Sequence, residues 1–410
     1  MYKASKDSSI ISSTYQICVL ILVIVFLQSS NLWAKSESNK ATLMYLSKTE
    51  LAGLKRAQQT VTADKLENAV EQLLAFNQKK VSKLAKALSL QMLGSIYQTQ
   101  AEYPKALAAY EKALSYNELS SSAKVKLFAK VHKLNYFVKE WKKSVFWWLK
   151  WEKKAKPRAE DYLLISDAYR QQEKWKLARK ALLTAIKLTP QPPHIWYKRL
   201  LSYEEKLQNS AQHKQLLTLL IEKYPNTVSY WLKLAGLYRS TAPERATALL
   251  YSAFSLGILT NKTHIIWLAK SLAQQSNYMQ AAQVLQTAVQ AKHIIGDIKE
   301  TALMVGFFSK AKAYEAALVS IQSNQQNSEQ FSIDQMRAKL YFKLKKWQLA
   351  YKSALAIKQP EIAKSKEMQL ILGVSSANLS NTTVAKEHLN NVMLIDPKNQ
   401  LASYWLRQLF

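Results

Sequence analysis

The sequence predicts an all-α chain, a right-handed solenoid of about ten helix-turn-helix units. Three observations predict it. The first is the stretch from Leu90 to Leu114, LQMLGSIYQTQAEYPKALAAYEKAL. Leu93-Gly94-x-x-Tyr97 falls on one helix and Ala106-x-x-x-Tyr110-x-x-Ala113 on the next. Glu102-Tyr103-Pro104 opens the second helix, with proline where its missing N–H costs nothing. Gly94 and Ala106 are small enough to let two antiparallel helices approach, and Tyr97 and Tyr110 fill the space beside them. The second observation is recurrence. The aromatic that opens the second helix, Tyr103, returns at Trp141, Trp175, Tyr278, Tyr314 and Trp347. The steps are 38, 34, 103, 36 and 33 residues, the long one spanning about three periods. The third is composition: seven glycines, nine prolines and no alternating apolar-polar run suit a chain of helices and short turns.

The spacing resembles the tetratricopeptide repeat (TPR), whose period is about 34 residues. That resemblance implies units that bury their apolar faces against neighbours only, so the array lengthens without a second core. The first unit starts near Glu50, with Ala69-x-x-x-Leu73-x-x-Phe76 on its second helix. The second is the stretch above. In the third, Lys139 to Arg158 reads KEWKKSVFWWLKWEKKAKPR, four tryptophans among eight Lys and Arg residues. Such interleaving suits single-stranded nucleic acid, whose bases stack on aromatics. The register argues for core instead, because Trp141, Trp148 and Trp151 take inward positions. Phe146 and Trp147 leave that stripe, to pack on the neighbouring unit or to face a partner. The fourth unit reads Tyr162-x-x-Ile165-Ser166-x-x-Tyr169, then Ala178-x-x-x-Leu182-x-x-Ala185 and Pro190. Trp196-Tyr197 starts the fifth and Pro225 closes it. The sixth has a strong first helix, Tyr230 to Tyr238, and a turn, Ser240 to Glu244, one residue short. The seventh carries Leu268-Ala269-x-x-Leu272 and Ala281-x-x-x-Leu285-x-x-Ala288. Units eight and nine are helical by period, with Ser320 to Gln330 a polar surface loop between them. The last carries Leu372-Gly373, Ala385-x-x-x-Leu389-x-x-Val392 and Pro397. The expected organisation is a leader over 1–34, a polar lead-in over 35–49, repeats over 50–397 and a capping helix over 398–410. Tyr404 to Phe410 is apolar for a cap and reads also as a docking surface.

The leader rests on an unbroken apolar run from Ile17 to Leu27, behind Lys3 and Lys6 and ahead of Ser29, Ser30 and Ala34. This is a secretory pattern with cleavage near Ala34. An uncleaved anchor from Ile10 to Leu27 is the alternative, since Leu32 fits the cleavage site poorly. Either way the repeats lie outside the cytoplasm, in the periplasm, which removes nucleic acid as a partner. Cys18, the only cysteine, lies inside the apolar run. Tyr15-Gln16-Ile17 before it excludes a lipidation signal, and the mature chain holds no thiol. The net charge of +30, from 58 Lys and Arg against 28 Asp and Glu, is either a solvated surface or a surface for something anionic. The anionic candidates are acidic protein segments, an envelope polymer or a lipid surface.

No catalytic constellation is visible, and the sequence reads as non-enzymatic, with no cofactor and no metal. His132, His194, His213, His264, His293 and His388 are too far apart for metal-ligand spacing. There is no phosphate loop and no nucleophile elbow. His132 replaces the small residue of its unit and is expected partly packed. Asp161 and Asp167, six residues apart on one helix, read as ordinary helix-surface charges. In the TPR pattern, four positions of each first helix line a concave groove. They give Lys126, Lys133 and Tyr136 in unit three, Asp167 and Arg170 in unit four, and Lys198 in unit five. Arg239, Lys270 and Lys339 follow from units six, seven and nine.

From Glu50 to the C-terminus the chain resembles envelope TPR proteins encoded with TonB-type energy-transduction systems of Gram-negative bacteria. The carrying residues are Leu93-Gly94 and Tyr97, Trp196-Tyr197, Ser229-Tyr230-Trp231, Leu234-Ala235, Tyr238, Ala253-Phe254 and Gly257-Ile258-Leu259-Thr260. The resemblance implies a periplasmic scaffold that partners a TonB–ExbB–ExbD complex, which passes proton-motive energy to outer-membrane receptors. No catalytic residues come with it. A scaffold of polysaccharide export or cell-wall maintenance, with a basic groove on anionic polymer, is the alternative.

Overall fold

The computed structural model describes residues 44–322 and 330–409. The leader expected over 1–34, most of the lead-in and most of the Ser320–Gln330 loop lie outside these residues. The described residues hold 22 helices and no strand. The chain divides into two compact bodies, 1–209 and 210–410.

The first body contains α1 (Lys48–Thr62), α2 (Leu66–Gln78), α3 (Lys83–Thr99), α4 (Tyr103–Ser115), α5 (Ser121–Phe137), α6 (Trp141–Glu152), α7 (Ala159–Gln171), α8 (Trp175–Leu188) and α9 (His194–Leu207). Each of the first four repeats is an antiparallel pair, α1 with α2 through α7 with α8, and each helix packs on the next in sequence. The first helices of repeats one to three begin at side-chain caps. Ser47, Ser82 and Ser120 accept the backbone N–H groups of Glu50, Ala85 and Ala123, each cap contributing about 1 kcal/mol.

First helices end differently. Ala101 has φ 59° and Lys139 φ 64°, the left-handed region. The next residue's N–H returns five residues to close the turn: Glu102 to the Tyr97 carbonyl at 2.8 Å, Glu140 to the Asn135 carbonyl at 2.8 Å. This is the Schellman arrangement, which satisfies carbonyls at the helix end and reverses the chain. Asp64, Glu173, Ser276, Lys312, Lys345 and Ser380 hold the same conformation at the ends of their helices.

Glu50 ties repeat one to repeat two. Its Oε2 accepts the Ser47 N–H at 2.9 Å, and its Oε1 accepts the Ser82 N–H, the cap of α3, at 2.6 Å. The bond from Ser82 holds the carboxyl well below the ordinary carboxylate range, at about 2.

The second body contains α10 (Ser210–Lys223), α11 (Val228–Tyr238), α12 (Pro243–Ser255), α13 (Lys262–Gln274), α14 (Tyr278–Gln290), α15 (Ile298–Lys310), α16 (Tyr314–Gln322), α17 (Gln330–Lys343), α18 (Trp347–Leu355), α19 (Gln359–Lys364), α20 (Lys366–Asn378), α21 (Thr382–Ile395) and α22 (Gln400–Gln408). One apolar core runs through α11 to α17, with Leu250, Leu268, Leu285 and Phe308 inside it. The short turn of repeat six has a structural consequence. It lacks the left-handed residue, and Ala242 N–H bonds the Tyr238 carbonyl at 2.8 Å just ahead of Pro243. The six-residue α19 interrupts the period between repeats nine and ten, a feature the sequence spacing does not contain. α22 sets Ala402 into a core with Val374, Leu389 and Val392, while Tyr404 stays exposed.

Candidate functional site

The first helices of repeats two to five carry polar groups across their contacts. Between α5 and α7, Lys133 Nζ lies 2.6 Å from Asp161 Oδ1. One turn along, Tyr136 donates its hydroxyl to Asp167 Oδ2 at 2.9 Å, and Arg170 Nε donates to Asp167 Oδ1 at 2.7 Å. Asp161 also accepts the Arg158 N–H, capping its own helix. Ser166 Oγ of α7 donates to the Ala178 carbonyl of α8 at 2.8 Å and lies 3.4 Å from the Tyr203 hydroxyl of α9. Arg179 on α8 pairs with the buried Glu204 of α9. A carboxylate out of water needs a cation and hydrogen bonds to remain ionised. Asp161, Asp167 and Glu204 each have a cation.

This geometry corrects two expectations. Tyr136 and Asp167 do not line an open groove: they are 5% and 4% exposed and join α5 to α7. Asp161 and Asp167 are not ordinary surface charges, since both are buried in ion pairs. Lys133 and Arg170 lie at the same contact, half-buried and engaged with those two carboxylates. Lys126 and Lys198 are exposed. In the second body Arg239 and Lys270 are exposed, with the Arg239 guanidinium 5.7 Å from the centre of the Trp267 ring. Lys339 pairs with Glu367 at 2.6 Å.

Repeat three is built around a buried imidazole. His132 is fully buried rather than partly packed, with Nδ1 3.0 Å from the Ser144 carbonyl oxygen. Ser144 Oγ lies 3.0 Å from the same nitrogen, and Nε2 is a buried atom without a hydrogen-bond partner. Trp148 and Trp151 lie against the ring, at 5.2 and 6.2 Å between centroids. Burial drops the imidazole pKa to about 4. Trp148 and Trp151 are core, as the register predicts, and Trp141 is half-buried against Tyr136. Trp147 turns toward repeat two, stacking on Phe128 and donating Nε1 to Glu111 at 3.2 Å. Phe146 is 51% exposed, with Lys150 Nζ 4.3 Å from its centroid.

One cation that the groove positions missed is Lys130 on α5. Its Nζ lies 3.4 Å from both Ser95 Oγ and the Tyr110 hydroxyl, and 5.5 Å from the Tyr110 ring centre. Tyr110 donates to Gln98 Oε1 at 3.0 Å. Burial lowers the Lys130 pKa below the ordinary lysine value. The signal was available: the four groove positions, applied to repeat two, give Leu88, Gln91, Ser95 and Gln98. Lys130 itself lies one position off that pattern's neighbours in repeat three, and a repeat template cannot show that a long side chain reaches back to the preceding unit.

Among the described residues, no group of three or more His, Cys, Asp or Glu side chains is placed to hold a metal ion. No helix of the described residues is long and apolar enough to cross a membrane. No protein-family model matches the chain. No curated protein matches it. Solved structures do resemble it. YrrB, a TPR protein with an unusual peptide-binding site, is 18% identical at a TM-score of 0.37, covering 47% of this chain and 97% of that one. A tetratricopeptide repeat protein from Parabacteroides merdae is 18% identical at 0.32, covering 65% and 100%. The Cut9–Hcn1 hetero-tetramer of APC/C is 13% identical at 0.30, covering 96% and 88%. Likeness this distant assigns no function.

Proposed function

We propose that the chain is a non-enzymatic periplasmic scaffold that binds acidic protein segments along the first helices of its repeats, accessory to TonB-dependent, energised outer-membrane transport. Its partners are TonB-, ExbB- and ExbD-type envelope components. The observation that carries the binding part is the set of exposed cations on or just beyond first helices: Lys126 and Lys198 in the first body, Arg239 and Lys270 in the second. On a chain of net charge +30 they favour an anionic partner. Export is supported by the apolar run from Ile17 to Leu27, and the transport system by the sequence resemblance through Ser229-Tyr230-Trp231 and Gly257-Ile258-Leu259-Thr260. A scaffold on anionic envelope polymer is the second reading, favoured by the same charge.

Photo-crosslinkers placed at Lys126 and Arg239 in living cells test it. The expected products are adducts with the TonB, ExbB or ExbD components, on a chain whose mature N-terminus by mass spectrometry lies near residue 35. Adducts with polysaccharide instead move the assignment to envelope assembly. An intact Met1 on a cytoplasmic chain ends both readings.

A further inference from the structure

We propose that the Lys130 ammonium, held by the hydroxyl oxygens of Ser95 and Tyr110, forms a subsite for a carboxylate side chain of an acidic peptide segment laid along α3. The inference rests on the peptide-binding reading above and gives it a position and a chemistry.

Lys130 differs from the other cations sunk into this part of the chain. Lys133, Arg170 and Arg179 each meet a carboxylate, at 2.6 Å for Lys133 and 2.7 Å for Arg170. Lys130 meets only neutral oxygens, both at 3.4 Å, which is long for an ammonium donor. An ammonium has three N–H donors, and two weak contacts leave most of that capacity unused. Its shift in pKa has burial as its cause and no carboxylate pulling the other way. A partly desolvated cation without a counter-charge opposes folding. A carboxylate arriving from outside supplies the missing charge, and such charge-assisted bonds are roughly twice as strong as neutral ones.

The spacing of the surrounding side chains suits an extended peptide. Gln91, Ser95 and Gln98 stand one above another on α3, at the spacing that shares a helix face. Gln91 Oε1 is buried and has no hydrogen-bond partner. Residues four apart on a helix are about 6 Å apart along its axis, close to the ~6.6 Å between alternate residues of an extended chain. A peptide along α3 therefore runs nearly in step with these side chains and brings a carboxylate on alternate residues toward Lys130. Ser95 and Tyr110 position the ammonium from the two helices of repeat two.

The probes are two short fluorescent peptides, one of alternating Glu and Ala and one of alternating Gln and Ala, read by anisotropy at near-physiological salt. The full chain should prefer the Glu peptide. Lys130→Met should weaken that peptide about tenfold or more, with the Gln peptide unchanged. Lys142→Met, on the exposed side of α6, removes the same charge and should change either affinity less than twofold. Ser95→Ala keeps the charge and should weaken the Glu peptide by a smaller factor. Thermal melts separate binding from folding: Lys130→Met should melt at or above the parent temperature while binding falls. If Lys130→Met and Lys142→Met weaken the Glu peptide equally, bulk charge explains it and the subsite is overturned, with peptide binding intact. Equal affinity for the two peptides overturns the subsite in the same way. No binding of the Glu peptide by the parent chain overturns it as well, while the in-cell crosslinking decides the scaffold reading separately.

Discussion

Repeats two and three occupy adjacent places and solve one packing problem in opposite ways. Where the two helices of a repeat touch, repeat two sets Gly94 beside Ala106 and against Tyr110. A Cβ on Gly94 would lie 2.5 Å from the Tyr110 ring, so the aromatic takes the room that the missing side chain leaves. Repeat three has His132, Ser144 and Trp148 at the matching positions. Its histidine fills the space and bonds the Ser144 carbonyl instead. Shape fit holds the first contact, and a hydrogen bond inside an aromatic box holds the second. The difference teaches that a degenerate repeat position need not be a weak one, but its strength now depends on a titratable group.

Acid separates the two most sharply. His132 has a folded pKa of about 4 against an ordinary 6.5, so the folded chain binds the neutral ring. Stability from this burial is complete above pH 6.5, because neither state is then protonated. It is lost as pH falls from 6.5 toward 4, where the unfolded ring takes a proton first. Below about 4 the loss stops growing. Linkage puts the full loss at about 3 kcal/mol. Urea midpoints measured across pH should fall through this window, and His132→Gln should remove the step. Amide exchange should show repeat three loosening first, with repeat two less affected. Repeat one has its own, lower window: Glu50, at about 2 folded and 4.5 otherwise, gives stability that is present above 4.5 and lost as pH falls toward 2. A single step shared by all repeats would contradict the local origin.

Gly94→Leu attacks the other solution. A side chain there meets the Tyr110 ring, which bonds Gln98 and lies against Lys130, so it cannot swing away without breaking those contacts. Overpacking of this kind costs about 1–3 kcal/mol. Lost amide protection should centre on α3 and α4 and reach α1, α2, α5 and α6 less, because neighbours share only nearest contacts. Uniform loss along the whole first body would sink the solenoid picture of it.

How much of this was legible follows from what a repeat repeats. The inward stripe recurs, so Trp148, Trp151, Ala106 and Tyr110 read as core from spacing alone, and so did the all-helical repeat architecture. The polar contacts between α5 and α7 recur only in part: Lys339 and Glu367 repeat the Lys133–Asp161 pair, whereas the Tyr136–Asp167 bond stands alone among the described contacts. Lys133 and Asp161 are 28 positions apart, and nothing in either helix's own pattern marks its partner. A groove template assigns positions by direction from the helix axis. It fails at Tyr136 and Asp167 because a long phenol reaches the adjacent helix and closes over the carboxylate. Lys130 escaped for the same reason, reaching backward instead. The six residues of α19 are too short for a periodic signal.

The smallest effect concerns the one feature the two repeats share. Ala101 and Lys139 both end their first helices in the left-handed region, at φ 59° and 64°. An L side chain there crowds the following carbonyl, at about 1–2 kcal/mol, whereas glycine has no such crowding. Glycine also gives the unfolded chain more freedom, which takes back part of the gain. Ala101→Gly and Lys139→Gly should therefore each stabilise by about 1 kcal/mol or less. Ala101 is exposed and has no side chain beyond Cβ, so its variant changes backbone strain almost alone. Lys139→Gly also removes a charge from a chain of +30, which adds slightly to its gain at low salt. Raising the salt should bring the two variants to the same urea midpoint shift. If Ala101→Gly destabilises, the left-handed turn is not the strained element, and its six-residue hydrogen bond from Glu102 to Tyr97 tolerates a side chain at no cost.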